Sequence, residues 1–276
     1  MSPCWARRSS SRRRTSLRCA RKKPPHAEPS TRENRGAELA EGHFDDAGSL
    51  EDAARGMDAV FVVATPFEAG PEAETRHGVA AADAARAAGV SHLVYSSVAD
   101  ADKRTGIPHF ESKREVEDHI EWLGVPYTIV APVYFMENLL APWNLPELKE
   151  SRLPMALSAS RPLQQIALSD IAAFTAMVME DREGFEDRRV NIASDELTGD
   201  EVAGVLSRVT GREIRYVELQ LEQVRQAIGE DGALMFEWFD RVGYSADVGS
   251  LRREHPEVGW HTFEEWAKQQ VWSALG

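Results

Sequence analysis

His109 and Lys113 stand four residues apart in "PHFESKREVE", at the start of an amphipathic stretch. An imidazole titrates near 6.5, so His109 is a candidate to relay protons at neutral pH, and Lys113 offers a fixed positive charge. A plainer role is open to each. Glu117 is four residues beyond Lys113, which suits an ion pair on a solvated helix face, and His109 falls at the helix entrance, where it reads as a loop residue.

The segments around this pair alternate between strand and helix patterns. "GAELAEGHF" is a short strand candidate, and "AGSLEDAARGM" a short helix with Ser49 as its N-cap. "DAVFVVATP" is apolar on both faces, as a buried parallel strand must be. "PEAETRHGVAAADAARAAGV" is an Ala-rich helix closing near Gly89, and "SHLVYSSV" is the next central strand. "FESKREVEDHIEWLG" carries Val116, Ile120 and Leu123 on one side, and "PYTIVAP" is a further strand. This order predicts an α/β fold with a Rossmann-like, doubly wound parallel sheet over residues 36–135, and a smaller C-terminal α+β lobe over 136–276.

In that lobe "QQIAL", "RRVNIA" and "EIRYVEL" read as strands. Phe236, Trp238 and Phe239 read as core more than pocket, and Asp170 as a helix cap. "TFEEWAKQQVW" should dock through Phe263, Trp266 and Val271. His255 and His261 alone make no metal site, so none is expected.

The head differs from the body. Residues 1–31 hold nine Lys/Arg and one acid, and the net charge of -13 for 276 residues then leaves -21 for the rest. Residues 1–35 are Arg/Ser/Pro-rich, without periodicity, and are expected to be disordered. A transit peptide, a basic nucleic-acid arm, and translation in a wrong frame or from a wrong start compete; scarce large apolar residues speak against the first, and the last is favoured because the α/β winding that follows begins in mid-fold. Beyond residue 31 only Lys103, Lys113, Lys149 and Lys268 remain as lysines against 44 acids. Such a surface weighs against general nucleic-acid binding, and it would suit either a salt-rich cytoplasm or ordinary acidity. No run reaches the roughly 18 apolar residues of a membrane span, so a cytoplasmic protein without membrane contact is expected. Cys4 and Cys19 suggest neither a disulfide framework nor a zinc site.

Six stretches, "EGHFDDAGSLEDAARGMDAVFVVATPF", "GVSHLVYSSV", "PHFESKREVE", "YTIVAPVYFMENLL", "ALSDIAAF" and "LTGDEVAGVLSRVTGREIRYVEL", together resemble the NmrA-like family of atypical short-chain dehydrogenases, from about Gly36 onward. The resemblance implies NADP(H) or NAD(H) as cofactor. It places His43 and Phe44 at the adenine, with His43 where the family usually has Asp. Thr65, Pro66 and Phe67 lie along the cofactor, and Ser96 and Ser97 at the same strand edge, where ligands of parallel sheets sit.

The resemblance also puts Lys113 on the nicotinamide ribose, with His109 where a Y-x-x-x-K enzyme has its Tyr. Pro132, Tyr134, Phe135 and Asn138 correspond to a segment that closes over the nicotinamide, with Ala131 where Arg is common. The family's glycine-rich turn has no counterpart: neither G-x-G-x-x-G nor G-x-x-G-x-x-G occurs in the sequence.

Three expectations follow. The first is an NADPH-dependent oxidoreductase of quinone-like or carbonyl substrates. The second is a non-catalytic NAD(P) redox sensor that regulates a partner protein. The third is a chain that has lost its phosphate cradle, dissolves poorly and binds no dinucleotide.

Overall fold

The computed structural model describes Cys4–Arg8, Thr15–Cys19 and residues 38–272. In chain order the first elements are β1 (Cys4–Arg8), β2 (Thr15–Cys19), α1 (Ala47–Ala54), β3 (Ala59–Val62), α2 (Pro71–Ala87) and β4 (His92–Ser96). Then come α3 (Pro108–Leu123), β5 (Tyr127–Pro132), β6 (Tyr134–Phe135), α4 (Leu145–Lys149), β7 (Arg152–Met155) and β8 (Pro162–Ile166). They are followed by α5 (Leu168–Glu180), α6 (Arg182–Phe185), β9 (Arg188–Ile192), β10 (Asp195–Thr198), α7 (Gly199–Thr210) and β11 (Arg215–Glu218). The last are α8 (Leu221–Arg241), α9 (Val248–Glu254) and α10 (Phe263–Gln269).

Two compact units result. The first comprises the chain up to Ser97, Pro108–Val130 and Thr175–Val190; the second comprises Val98–Ile107, Ala131–Phe174 and the chain from Asn191. The division is interleaved along the chain.

The first unit is built on a parallel sheet in the order β3-β4-β5-β9, with Val62 opposite Tyr95 and Ser96 opposite Val130. Its core joins Leu50 of α1, Val60 and Val62 of β3, Leu93 and Tyr95 of β4, and Val116, Ile120 and Leu123 of α3, as the apolar spacing of α3 predicts. α2 opens on Pro71 and is closed by Gly89 at φ 72°, a left-handed position that suits glycine.

Some local expectations are corrected. "GAELAEGHF" forms no strand over its described residues; Glu38, Glu41 and Gly42 are poor strand formers. The N-cap of α1 is Asp46, whose carboxylate accepts from Ser49 N at 3.2 Å, and Ser49 lies within the helix. In the head, β1 and β2 pair antiparallel, and the backbone of β1 passes within 8 Å of β3, where no regular structure was expected. A ladder uses backbone groups, so an Arg/Ser-rich composition does not forbid one. The other head residues lie outside the described ones.

The second unit holds two small sheets, β10-β8-β6 and β11-β7. Its core includes Met136, Leu139, Leu153, Leu206, Phe263 and Trp266. Phe236, Trp238 and Phe239 are buried, as a core cluster should be, whereas Val271 is 80% exposed and does not dock. Among the described residues no helix is long and apolar enough to cross a membrane, and no cluster of His, Cys, Asp and Glu is arranged to hold a metal.

Candidate functional site

α3 begins at Pro108, so His109 lies in its first turn and not in the preceding loop. One turn later Lys113, 9% exposed, reaches back to the carboxyl ends of two strands. Its Nζ donates to the carbonyls of Ala64 at 2.7 Å and Ser96 at 3.1 Å. A third neighbour is Glu74 of α2, fully buried, whose Oε1 lies 2.9 Å from Nζ in an ion pair. That oxygen accepts no aligned hydrogen bond, while Oε2 accepts from the Ser112 hydroxyl at 2.5 Å.

Glu117 is therefore not the partner of Lys113. Also fully buried, it takes the Ser97 hydroxyl on Oε1 and the guanidinium groups of Arg114 and Arg189, both at 3.0 Å, on Oε2. Its two oxygens are saturated by three donors, and the strand-end carbonyls supply Lys113 with better-placed acceptors. This arrangement turns the Ser97 side chain inward, with 5% of the residue exposed, and leaves Ser96 presenting its carbonyl to Lys113.

Tyr95 lies beside the same ammonium, with Nζ 5.4 Å from its ring centroid. Burial first, and then the carboxylates of Glu74 and Glu117, push its phenol well above the usual range, so it stays protonated at neutral pH. Its hydroxyl has no hydrogen-bond partner among the described residues.

Elsewhere in the first unit Phe44 stacks on His77, with centroids 4.5 Å apart and planes 9° from parallel. Partial burial lowers the His77 pKa against the pull of Asp45, which favours a neutral ring. His43 is exposed and accepts from Asp45 N at 3.2 Å, organising the turn into α1. Thr65 and Pro66 are half-buried after β3, where Pro66 O accepts from Gly70 N at 2.8 Å, and Phe67 is 86% exposed.

The remaining predicted residues belong to the second unit. Pro132 is buried, and its carbonyl accepts from Ala99 N at 2.9 Å. Tyr134 and Phe135 form β6, and Asn138 hydrogen-bonds the Tyr134 hydroxyl. Burial outweighs that bond and pushes the Tyr134 phenol up to about 12. Tyr134 also lines an apolar cavity of about 20 Å³ with Leu139, Leu153, Leu157, Leu197 and Tyr216, space for one water-sized group.

Asp170 lies in the first turn of α5 and is no cap: its carboxylate binds His261 through backbone N at 2.8 Å and Nδ1 at 2.5 Å. Sequence reasoning missed this pair, and it missed Glu74 and Glu117 as buried anchors. An acid in the first turn of a helix, as Glu74 is, reads as a partner of the helix dipole, and only the contact with α3 reveals its burial.

A model of the NmrA-like family matches residues 16–267. The chain belongs to the NmrA-like family. The match begins inside the head, within β2, and so includes residues expected to fall outside the fold. The chain is 34% identical over 196 residues to (4-alkanoyl-5-oxo-2,5-dihydrofuran-3-yl)methyl phosphate reductase of Streptomyces griseus, a match covering 70% of this chain and 66% of that one. It is 32% identical over 196 residues to NAD(P)H azoreductase of Xenophilus azovorans, with the same two coverages. The chain thus spans slightly less than two thirds of the length of these relatives. The structure of Citrobacter sp. triphenylmethane reductase complexed with NADP(H) superposes with a TM-score of 0.74 at 20% identity, covering 88% of this chain and 86% of that one. At that identity the likeness is one of fold, a Rossmann-like parallel sheet with helices.

The first unit's donor set fits a dinucleotide at two places: a flat aromatic pair at Phe44 and His77, and a cation at the strand ends. The family's glycine-rich turn, which has no counterpart in the sequence, would fall in the head, outside the described residues.

Proposed function

We propose that this NmrA-like chain binds NAD(P)H and acts as an oxidoreductase of quinone-like or carbonyl compounds. The observation that carries this reading is the Lys113 ammonium at the carboxyl ends of β3 and β4, the edge where doubly wound sheets take their ligands. The names of the two curated relatives, both reductases, support it.

Phe44 and His77 would offer the adenine a flat face. Thr65, Pro66 and Phe67 would run along the cofactor, and Lys113 would set the charge near its ribose. Bound NADPH supplies the hydride. His109, one turn before Lys113, would hold a proton. The test is NADPH oxidation with a panel of quinones: turnover above the protein-free rate supports the reading, and its absence across the panel opposes it.

A second reading is a sensor that binds NAD(P) and signals to a partner protein. It is favoured by His109 standing where the family's Tyr would be, and by an ammonium committed to Glu74 and two carbonyls. Saturable NADPH binding without turnover would select it.

A further inference from the structure

We propose that Glu74 is a positioning residue of the cofactor edge. It holds the Lys113 ammonium on the carbonyls of Ala64 and Ser96, and so fixes the ends of β3 and β4 against which the dinucleotide lies. The inference rests on the reading of this edge as the NAD(P)H site.

The geometry carries the argument. Glu74 has no exposed surface, and a buried carboxylate is tolerated only with compensating partners. Its partners are both on α3 and adjacent in sequence, Ser112 on Oε2 and Lys113 on Oε1. Two carbonyls and one carboxylate surround a single ammonium, which has three donors to give. Without Glu74 the two carbonyls hold Lys113 by dipoles alone, and its long stem is free to swing into solvent. The orientation of the strand ends then depends on a residue that touches no ligand itself.

The test compares full-length wild type, Glu74→Gln and Ser112→Ala by two readouts. The first is acetic anhydride labelling of lysines, resolved by peptide mass mapping, with exposed Lys268 as internal standard. The second is NADPH affinity by fluorescence titration. In the wild type Lys113 should label at least about tenfold more slowly than Lys268, and in Glu74→Gln that gap should largely close, with Ser112→Ala intermediate. Loss of the charged partner should weaken NADPH binding about tenfold.

A merely structural change would not single out one lysine. Lys113 labelling as fast as Lys268 in the wild type would overturn the proposal even if the variants fail to fold. So would unchanged protection and affinity in a folded Glu74→Gln. If Lys113 is freed in Glu74→Gln but no form binds NADPH, the ion-pair role stands, and both the cofactor reading and its link to Glu74 fall.

Discussion

Gly78 of α2 faces Val116 of α3 so closely that an added Cβ would sit 2.6 Å from Val116 Cγ2. Gly78 lies one turn beyond Glu74, and Val116 one turn beyond Ser112, so the close approach of the helices and the buried ion pair lie on one seam. Thr75 to Glu115 at 3.0 Å and Asp83 to His119 at 2.8 Å flank it.

Gly78→Ala should therefore destabilise the chain. Alanine gains about 1 kcal/mol of helix propensity, but overpacking of this kind costs about 1–3 kcal/mol. A lower urea midpoint is expected, and a raised one would contradict the seam.

Glu117 should be the costliest carboxylate to remove. Glu117→Ala removes the acceptor of the Ser97 hydroxyl and takes a buried carboxylate from two guanidinium groups, 24% and 15% exposed at Arg114 and Arg189, of which Arg114 keeps Asp118 and Glu121. Breaking such a buried pair costs about 3–5 kcal/mol, to be read by denaturant unfolding. A loss under about 1 kcal/mol would place Glu117 among ordinary surface ion pairs.

His92 sets a pH window. It is 2% exposed, and its Nε2 lies 2.8 Å from Thr128 Oγ1, whose single proton goes to Phe185 O. Nε2 is therefore the donor and the ring is neutral. Burial, then the Arg182 charge, lowers its pKa from 6.5 to about 4. Between those values the unfolded chain binds a proton that the folded chain refuses, so stability is full above pH 6.5 and falls as pH drops towards 4. The contribution is about 3 kcal/mol at most. Unfolding at pH 4.5 and 7 should show a steeper loss in wild type than in His92→Gln; parallel losses would contradict the assignment.

The strands and helices around β3, β4 and α3 were legible because buried parallel strands and an amphipathic helix leave strong patterns. Lys113 was legible as a residue of interest, but not its partners. The i to i+4 rule pointed to Glu117, whereas the acceptors came from two strand ends and another helix. Asp170 was read as a cap because its local sequence resembles one, while its partner His261 is 91 residues away. Phe44 was assigned to the adenine through family resemblance; its stacking partner His77 follows from the fold of α2 alone.

Fluorescence titration of the full-length protein with NADPH tests most directly whether this chain binds NAD(P)H. Saturable binding is expected, and Lys113→Met should weaken it. A soluble, folded chain showing no saturable response would contradict the proposed binding.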